Sequence, residues 1–342
     1  MRAMVLRKTC FLDENQNPLE LTTLPDPVPA ETEILVKVSA CGVCHTELDE
    51  IEGRTPPPRF PIVPGHQVVG RVVQTGSRSK QFRPGDRVGI GWIFSACGHC
   101  EYCRSGQENL CGQFVATGRD AHGGYAEYVR ISENFAYPIP DAFSDAQAAP
   151  LLCAGAIGYR SLNLSGLQDG KSLGLTGFGA SAHLVLKMTR HKFPASGIFV
   201  FARSEKERSF AMDLGASWAG DIGALSPQKL DGIIDTTPAW KPVVESLKNL
   251  NPGGRLVINA IRKEDRDKDR LLGLDYPAHL CLEKEIKSVA NVTRSDIRDF
   301  LKLAAAIDIK PEFDEFPLKD ANRALRELKQ RSVRGAKVLK IE

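Results

Sequence analysis

The stretch CGHCEYCRSGQENLC places four cysteines, Cys97, Cys100, Cys103 and Cys111, within fifteen residues. Four thiolates brought together by short turns fill the tetrahedral shell of a divalent ion and leave no position for water, which is the arrangement of a structural zinc. An iron–sulfur cluster and thiols without metal are the competing readings. His99 stands between these cysteines, but four sulfurs already complete the shell, so it reads as a surface residue. A closed site of this kind staples a loop and does no chemistry, so the catalytic or binding function must lie elsewhere in the 342 residues.

A chain of that length exceeds what one hydrophobic core usually organises, and two domains are expected. Hydrophobic residues make up 42% and charged residues 25% of it, and the formal net charge is only +3, with the two signs interspersed. This balance argues against a nucleic-acid or anionic-membrane partner. No run reaches the length of a membrane span and the N-terminal stretch lacks a signal peptide's apolar core, so a cytoplasmic location is expected. Clustered cysteines in such a compartment serve metal or catalysis more often than disulfides.

The texture of the sequence changes near residue 150. Before it, short β-branched runs (EILVKVSA, QVVGRVVQTG, DRVGI, YAEYVRI) are divided by turn signals such as Arg83-Pro84-Gly85-Asp86 and suggest a compact β-barrel-like domain. After it, SLGLTGFG, ASAHLVLKMTRH, GIFVFAR, SEKERSFAMDLG, DGIIDTT, AWKPVVESLKNL and RLVIN alternate strand and helix. That rhythm implies a doubly wound parallel sheet. EIKSVANV is a candidate last strand, SDIRDFLKLAAAI and DANRALRELKQ read as helices, and RGAKVLKI as a final strand. The highly charged Arg262–Arg270 run reads as a solvated loop or helix face.

GLTGFGASAHL contains Gly177-Phe178-Gly179-Ala180-Ser181-Ala182, a G-x-G-x-x-A dinucleotide fingerprint between a strand and a helix. Gly177 permits the tight turn, Gly179 lets the backbone approach a pyrophosphate, Ala182 allows close packing, and the helix N-terminus supplies amide donors. About twenty residues on, where an NAD enzyme carries Asp or Glu for the ribose hydroxyls, the chain reads Ala202-Arg203-Ser204. With no carboxylate to repel a 2′-phosphate and Arg203 available to pair with it, NADP is favoured over NAD. An Arg203 that points to solvent, with NAD held by a looser ribose contact, is the alternative.

A catalytic zinc needs three protein ligands and one open position. Cys44 in SACGVCHTELDEIEG, His66 in VPGHQVVG and Cys153 in PLLCAG all lie beside glycine-punctuated turns, but spacing alone does not assemble them. By spacing, Cys41 and Cys44 equally fit a redox dithiol or half of a zinc finger.

In order along the chain, GVCHTE, PIVPGHQVVGRV, the four-cysteine loop, HGGYAEYV, PLLCAGAIGYRSL and TGFGASA resemble the zinc-dependent medium-chain alcohol dehydrogenases over essentially the whole sequence. The resemblance implies a GroES-like β-barrel catalytic domain from residues 1–150 and 292–342 and a Rossmann dinucleotide-binding domain from 151–291. It implies two zinc ions per chain, the catalytic one held by Cys44, His66 and Cys153. It makes Thr46 the hydroxyl that takes the alcohol's proton and Glu47 the carboxylate that orients His66, and it places His45 and Arg334 at the cofactor pyrophosphate. Asn259, Ala260 and Ile261 would then lie near the nicotinamide, and Trp92 would be a wall of the substrate pocket, with ordinary core packing the alternative for Trp92. Cys41, without an assigned partner, becomes a packed thiol.

Two positions depart from the family pattern. Gln67 follows His66 where glutamate is usual, and Asp49 stands where a histidine often relays the proton to solvent. Asp49 is a candidate to relay the proton in its place, although a carboxylate with an ordinary pKa near 3.9 is poorly matched to that task at neutral pH. The expected activity is reversible hydride transfer between a small-molecule alcohol and NAD(P), giving an aldehyde or ketone. An NADPH-dependent aldehyde reductase is the alternative within enzymes, and a non-catalytic nucleotide-binding sensor the alternative outside them; a homodimer or homotetramer is expected from the family.

Overall fold

A computed structural model describes residues 1–330 and 335–342. Its contacts divide the chain into two units, Met1–Cys153 with Thr293–Glu342, and Ala154–Val292.

The first unit is built on a seven-stranded, mainly antiparallel sheet. Its strands run in the order Phe313–Pro317, Ala336–Lys340, Glu33–Val43, Gln67–Thr75, Arg87–Ile90 and Ala136–Pro138, with Tyr128–Ser132 also pairing with Glu33–Val43. Alternating β-branched residues give the sheet a buried face: Ile34, Val36, Val38, Val68, Val72, Val88, Ile90 and Ile131 are all buried. The C-terminal segment contributes the two strands at one edge, Phe313–Pro317 and Ala336–Lys340, and the helices Arg294–Ala306 and Ala321–Lys329. Thr293 and Asp296 form a reciprocal cap at the start of the first helix.

One register in this sheet positions the chemistry. Strands Glu33–Val43 and Gln67–Thr75 run antiparallel with Cys41 opposite Val68 and Gly42 opposite Gln67. The residue just past the end of one strand, Cys44, and the residue just before the other, His66, therefore emerge at the same end of the sheet. Gly65 takes φ +99°, and a Cβ there would lie 2.4 Å from the Tyr125 ring and 2.9 Å from Cys41 Sγ, so only glycine can present His66 in this way.

The second unit carries a six-stranded parallel sheet, ordered Trp218–Gly220, Ile198–Phe201, Leu173–Thr176, Leu230–Asp235, Leu250–Ile258 and Glu285–Ser288. Numbered within the unit this is 3-2-1-4-5-6, the order of a Rossmann fold, whose topological switch point lies between the first and fourth strands. Asn251-Pro252-Gly253-Gly254, a turn by composition, forms a bulge inside one strand, Leu250–Ile258, whose register shifts where it pairs with Leu230 and Gly232. Among the described residues no helix is long and apolar enough to cross a membrane.

The charged Arg262–Arg270 run is a solvated face at Asp265, Arg266, Lys268, Asp269 and Arg270 and departs from that reading at two residues. Lys263 has only 7% of its side chain exposed and pairs with the fully buried Asp235, and Asp267 accepts from the backbone N–H groups of Trp240 and Lys241 at 3.0 and 2.8 Å. These two residues tie the run to the fourth strand and to the helix that follows it. Residue-level charge cannot separate an anchor from its solvated neighbours.

Candidate metal and dinucleotide sites

The ligand atoms of Cys44, His66 and Cys153 all lie within 4.8 Å of one another. Cys44 caps the short helix His45–Ile51, its Sγ accepting from Thr46 N at 3.3 Å. Cys153 lies in a π-helical turn, Leu151–Gly155, anchored by the buried Leu151 and Leu152; such turns recur at functional sites.

Glu47 joins two of the ligands. One carboxylate oxygen lies 2.6 Å from His66 Nδ1 in a buried contact, and the other accepts from Cys44 N at 2.8 Å in a half-buried one. With Nδ1–H donated to Glu47, the His66 Nε2 lone pair faces Cys44 Sγ, 3.8 Å away.

The charges of the site ask for a cation. Cys44 is pushed well above the usual thiol range, first by its hydrogen bond with the Cys153 thiol and then by burial. At His66 burial pulls the pKa down, but the Glu47 carboxylate and Cys44 outweigh it and raise it well above the imidazole range. A divalent ion relieves both by taking the places of the protons. Two thiolates and an imidazole with a fourth position open fit zinc in its catalytic form.

The second cluster is closed. Cys97, Cys100, Cys103 and Cys111 offer sulfurs within 4.8 Å of one another. Backbone N–H groups of His99 and Cys100 hold the Cys97 thiol down at about 6, whereas burial and the neighbouring thiols push Cys103 up to about 12. His99 is exposed and its Nδ1 lies 2.9 Å from the Cys97 carbonyl, apart from the sulfurs. Four sulfurs with amide donors behind them fit a structural zinc.

Cys41 stays outside both clusters. It is fully buried, 3.7 Å from the Gly42 carbonyl, and packs beside Gly65.

In the second unit, strand Leu173–Thr176 ends in Gly177 at φ +73°, and Gly179 caps the helix Ala180–Lys192. A Cβ at Gly177 would meet Thr237 Cγ2 at 2.8 Å, while a Cβ at Gly179 would meet nothing within 4 Å. The first glycine is thus required by the protein itself, and the second faces the open space in front of the helix N-terminus where a pyrophosphate can approach. Ala182 is fully buried.

At the end of the next strand Arg203 is exposed, Ser204 caps the following helix, and Arg208 Nη1 donates to the carbonyls of Ala202 and Arg203 at 2.8 and 3.0 Å. Asn259 spends its amide on Ser161 Oγ at 2.6 Å and Ile157 O at 3.4 Å, so at Asn259, Ala260 and the half-exposed Ile261 the backbone is what this loop can offer a ligand.

Residues 30–141 match the model of the alcohol dehydrogenase GroES-like domain. The probable alcohol dehydrogenase AdhA of Mycobacterium tuberculosis (strain CDC 1551 / Oshkosh) is 43% identical over 329 residues, spanning 95% of this chain and 93% of the relative. The chain belongs to the medium-chain zinc alcohol dehydrogenase family. An alcohol dehydrogenase of Geobacillus stearothermophilus is 31% identical across 98% of this chain and 99% of its own. Among solved structures, a cinnamyl alcohol dehydrogenase of Sorghum bicolor superposes with a TM-score of 0.84 at 25% identity, covering 99% of this chain and 97% of that one. The protein is a zinc-dependent alcohol dehydrogenase that uses NAD or NADP.

The remaining sequence-predicted residues of this alcohol dehydrogenase lie as follows. Asp49 is buried and bonded to Arg54 Nε at 2.5 Å, and Arg54 also pairs with Glu52. Gln67 is buried beside Gly42. Trp92 packs edge-on to His66, ring centroids 5.1 Å apart, with the Arg119 guanidinium 5.7 Å over its indole. His45 opens its helix and is exposed. Arg334 lies outside the described residues.

Three residues escaped the sequence reading. Glu50 is 1% exposed and neither carboxylate oxygen has a hydrogen-bond partner among the described residues; burial, then Glu47, push it well above the carboxylate range. Its spacing of three from Glu47 on one helix was the available signal. Arg208 and Lys263 were hidden in charge-rich runs.

Proposed function

We propose that the chain oxidises alcohols and reduces the corresponding aldehydes or ketones at the Cys44–His66–Cys153 centre, with Thr46 as proton acceptor and NADP as the preferred dinucleotide. The observation that carries this reading is the convergence of the three ligands, with one carboxylate, Glu47, bonded to two of them. When bound, zinc supplies a Lewis acid for the alcohol oxygen and the dinucleotide accepts the hydride. The chain's own tasks are to hold the ligands, position the dinucleotide and remove a proton.

Thr46 directly follows the exposed His45, one residue further from Cys44, and is 6% exposed. Its hydroxyl can both take a proton and pass one on, and it stands two residues from the ligand Cys44. The Asp49 carboxylate is engaged by the Arg54 guanidinium, so we assign Asp49 to holding the Arg54 turn, with proton exit through water and the cofactor ribose. The edge-on contact of Trp92 with His66 supports Trp92 as a wall of the substrate pocket.

NADP preference is supported by the strand end Ala202-Arg203-Ser204. Glu207, the acidic residue of the cap, is turned back onto Ser204 N, and Arg208 fixes the carbonyls of the turn. An Arg203→Ala variant is expected to lose about tenfold in kcat/KM with NADP and little with NAD. Equal losses with both dinucleotides, or a wild-type preference for NAD, would remove Arg203 from this role. The same basic turn favours the reductive direction as the main use of the enzyme, the aldehyde reductase reading. A homodimer or homotetramer is supported by the outer strand Glu285–Ser288, all of whose side chains are exposed. A cytoplasmic setting is supported by six of the nine cysteines lying in the two metal-ligand clusters.

A further inference from the structure

Asp235 and Lys263 form a buried ion pair at the C-terminal edge of the parallel sheet, 0% and 7% exposed. Lys263 Nζ donates to Asp235 Oδ2 and to the carbonyls of Thr237 and Ala239 at 2.8 and 3.0 Å, so its three protons have three acceptors. Asp235 Oδ1 accepts from Thr176 Oγ1 at 2.6 Å, Thr237 Oγ1 at 2.8 Å and Thr237 N at 3.3 Å. Thr236 Oγ1 in turn donates to the Thr176 carbonyl at 2.9 Å.

These bonds converge on the switch point of the sheet. Thr176 and Asp235 end the first and fourth strands, and a ligand of a doubly wound sheet binds outside those ends. The fingerprint turn begins at the next residue, Gly177, whose α-carbon faces Thr237 Cγ2 and Thr236 Oγ1 so closely that a Cβ would lie 2.8 and 2.9 Å from them. On its other side Asp235 accepts Asn259 N through its carbonyl at 2.8 Å, and Lys263 itself belongs to the loop that leaves the fifth strand. A single charge pair thus fixes both the pyrophosphate turn and the loop after the fifth strand.

A buried ion pair does not by itself stabilise a fold more than well-packed apolar side chains of the same volume would. What this pair adds is a defined geometry: it holds Thr237 against the fingerprint turn. We propose that Lys263 and Asp235 are positioning residues for the dinucleotide, acting through Thr237 on the Gly177 turn. This rests on the assignment of that turn as the pyrophosphate site.

The test is equilibrium titration of the zinc-loaded enzyme with NADPH and NADH, together with melting temperature, zinc content and the kcat and KM for the dinucleotide. Lys263→Met is expected to weaken both dinucleotides by about tenfold, the loss appearing in KM rather than kcat, and Lys263→Arg to recover part of it. Thr237→Val is nearly isosteric and keeps the ion pair, so it decides the matter if Lys263→Met does not fold; it is expected to weaken binding about threefold to fivefold. Gly179→Val serves as the reference, because its φ is ordinary and its side chain would enter open space. Weak binding by Gly179→Val with wild-type affinity in Lys263→Met or, if that variant does not fold, in Thr237→Val overturns the positioning role alone. Wild-type affinity in Gly179→Val overturns the fingerprint assignment on which it rests.

Discussion

A Cys44→Ser enzyme is expected to purify with one zinc ion per chain instead of two and to lose dehydrogenase activity by at least about a thousandfold. Removing the Lewis acid forfeits several kcal/mol of transition-state stabilisation, and each 1.36 kcal/mol is about tenfold in rate. The substitution isolates the metal from the fold. Cys44 Sγ also accepts the Thr46 N–H that starts the helix His45–Ile51, but serine is a strong helix cap, so the helix can persist. Glu47 would still bond His66 at Nδ1. Cys41→Ser is the matched control three residues away. Its sulfur belongs to the core, so exchange buries a hydroxyl at a cost of about 1–3 kcal/mol in stability while both zinc ions and turnover remain. Metal analysis by mass spectrometry with assay of the same preparations distinguishes the two, and a Cys44→Ser enzyme that keeps both ions and its rate would contradict the ligand assignment.

Thr46→Val should keep both zinc ions and its affinity for the dinucleotide yet lose about 10²–10⁴ in kcat, the usual contribution of a positioned proton acceptor. Valine has nearly the shape of threonine, and Thr46 is 6% exposed, so packing is preserved and only the hydroxyl is removed. Thr46→Ser is expected to restore most of the rate. Asp49→Asn separates this route from the alternative: if Asp49 only anchors Arg54, the variant loses less than about tenfold in kcat with an unshifted pH profile, whereas a proton carrier at that position would show a loss near that of Thr46→Val. Unimpaired turnover in Thr46→Val would remove Thr46 from proton transfer.

The difference between what the sequence revealed and what it hid follows the range of the interactions involved. The parallel sheet was legible because its strands are buried on both faces and read as apolar runs, such as LGLT and IFVF, punctuated by glycine. The structural zinc was legible because its ligands are local. Cys44, His66 and Cys153 could be named only through the family resemblance, since what unites them is the pairing of Gly42 with Gln67 and the π-helical turn at Cys153. Spacing along the chain encodes neither of these. Where the sequence misled, it did so through charge: Lys263 and Asp267 sit in a run whose composition matches a solvated face, and their anchoring is decided by partners 26 to 28 residues away, Asp235 and the backbone of Trp240 and Lys241. Glu50 was hidden for a related reason, because a third carboxylate in ELDEIEG looks like solvent-facing charge, whereas the packed helix buries it.

The most direct test of a zinc-dependent dehydrogenase is stepwise metal removal from the wild-type enzyme, with turnover followed on primary, secondary and aromatic alcohols and aldehydes using NAD(H) and NADP(H). The account predicts two zinc ions per chain, at least one productive pair of substrate and dinucleotide, activity that falls as the Cys44–His66–Cys153 site empties, and recovery when zinc is returned. Undiminished turnover by protein stripped of all zinc, or no turnover with any of these pairs by the fully loaded protein, would contradict it.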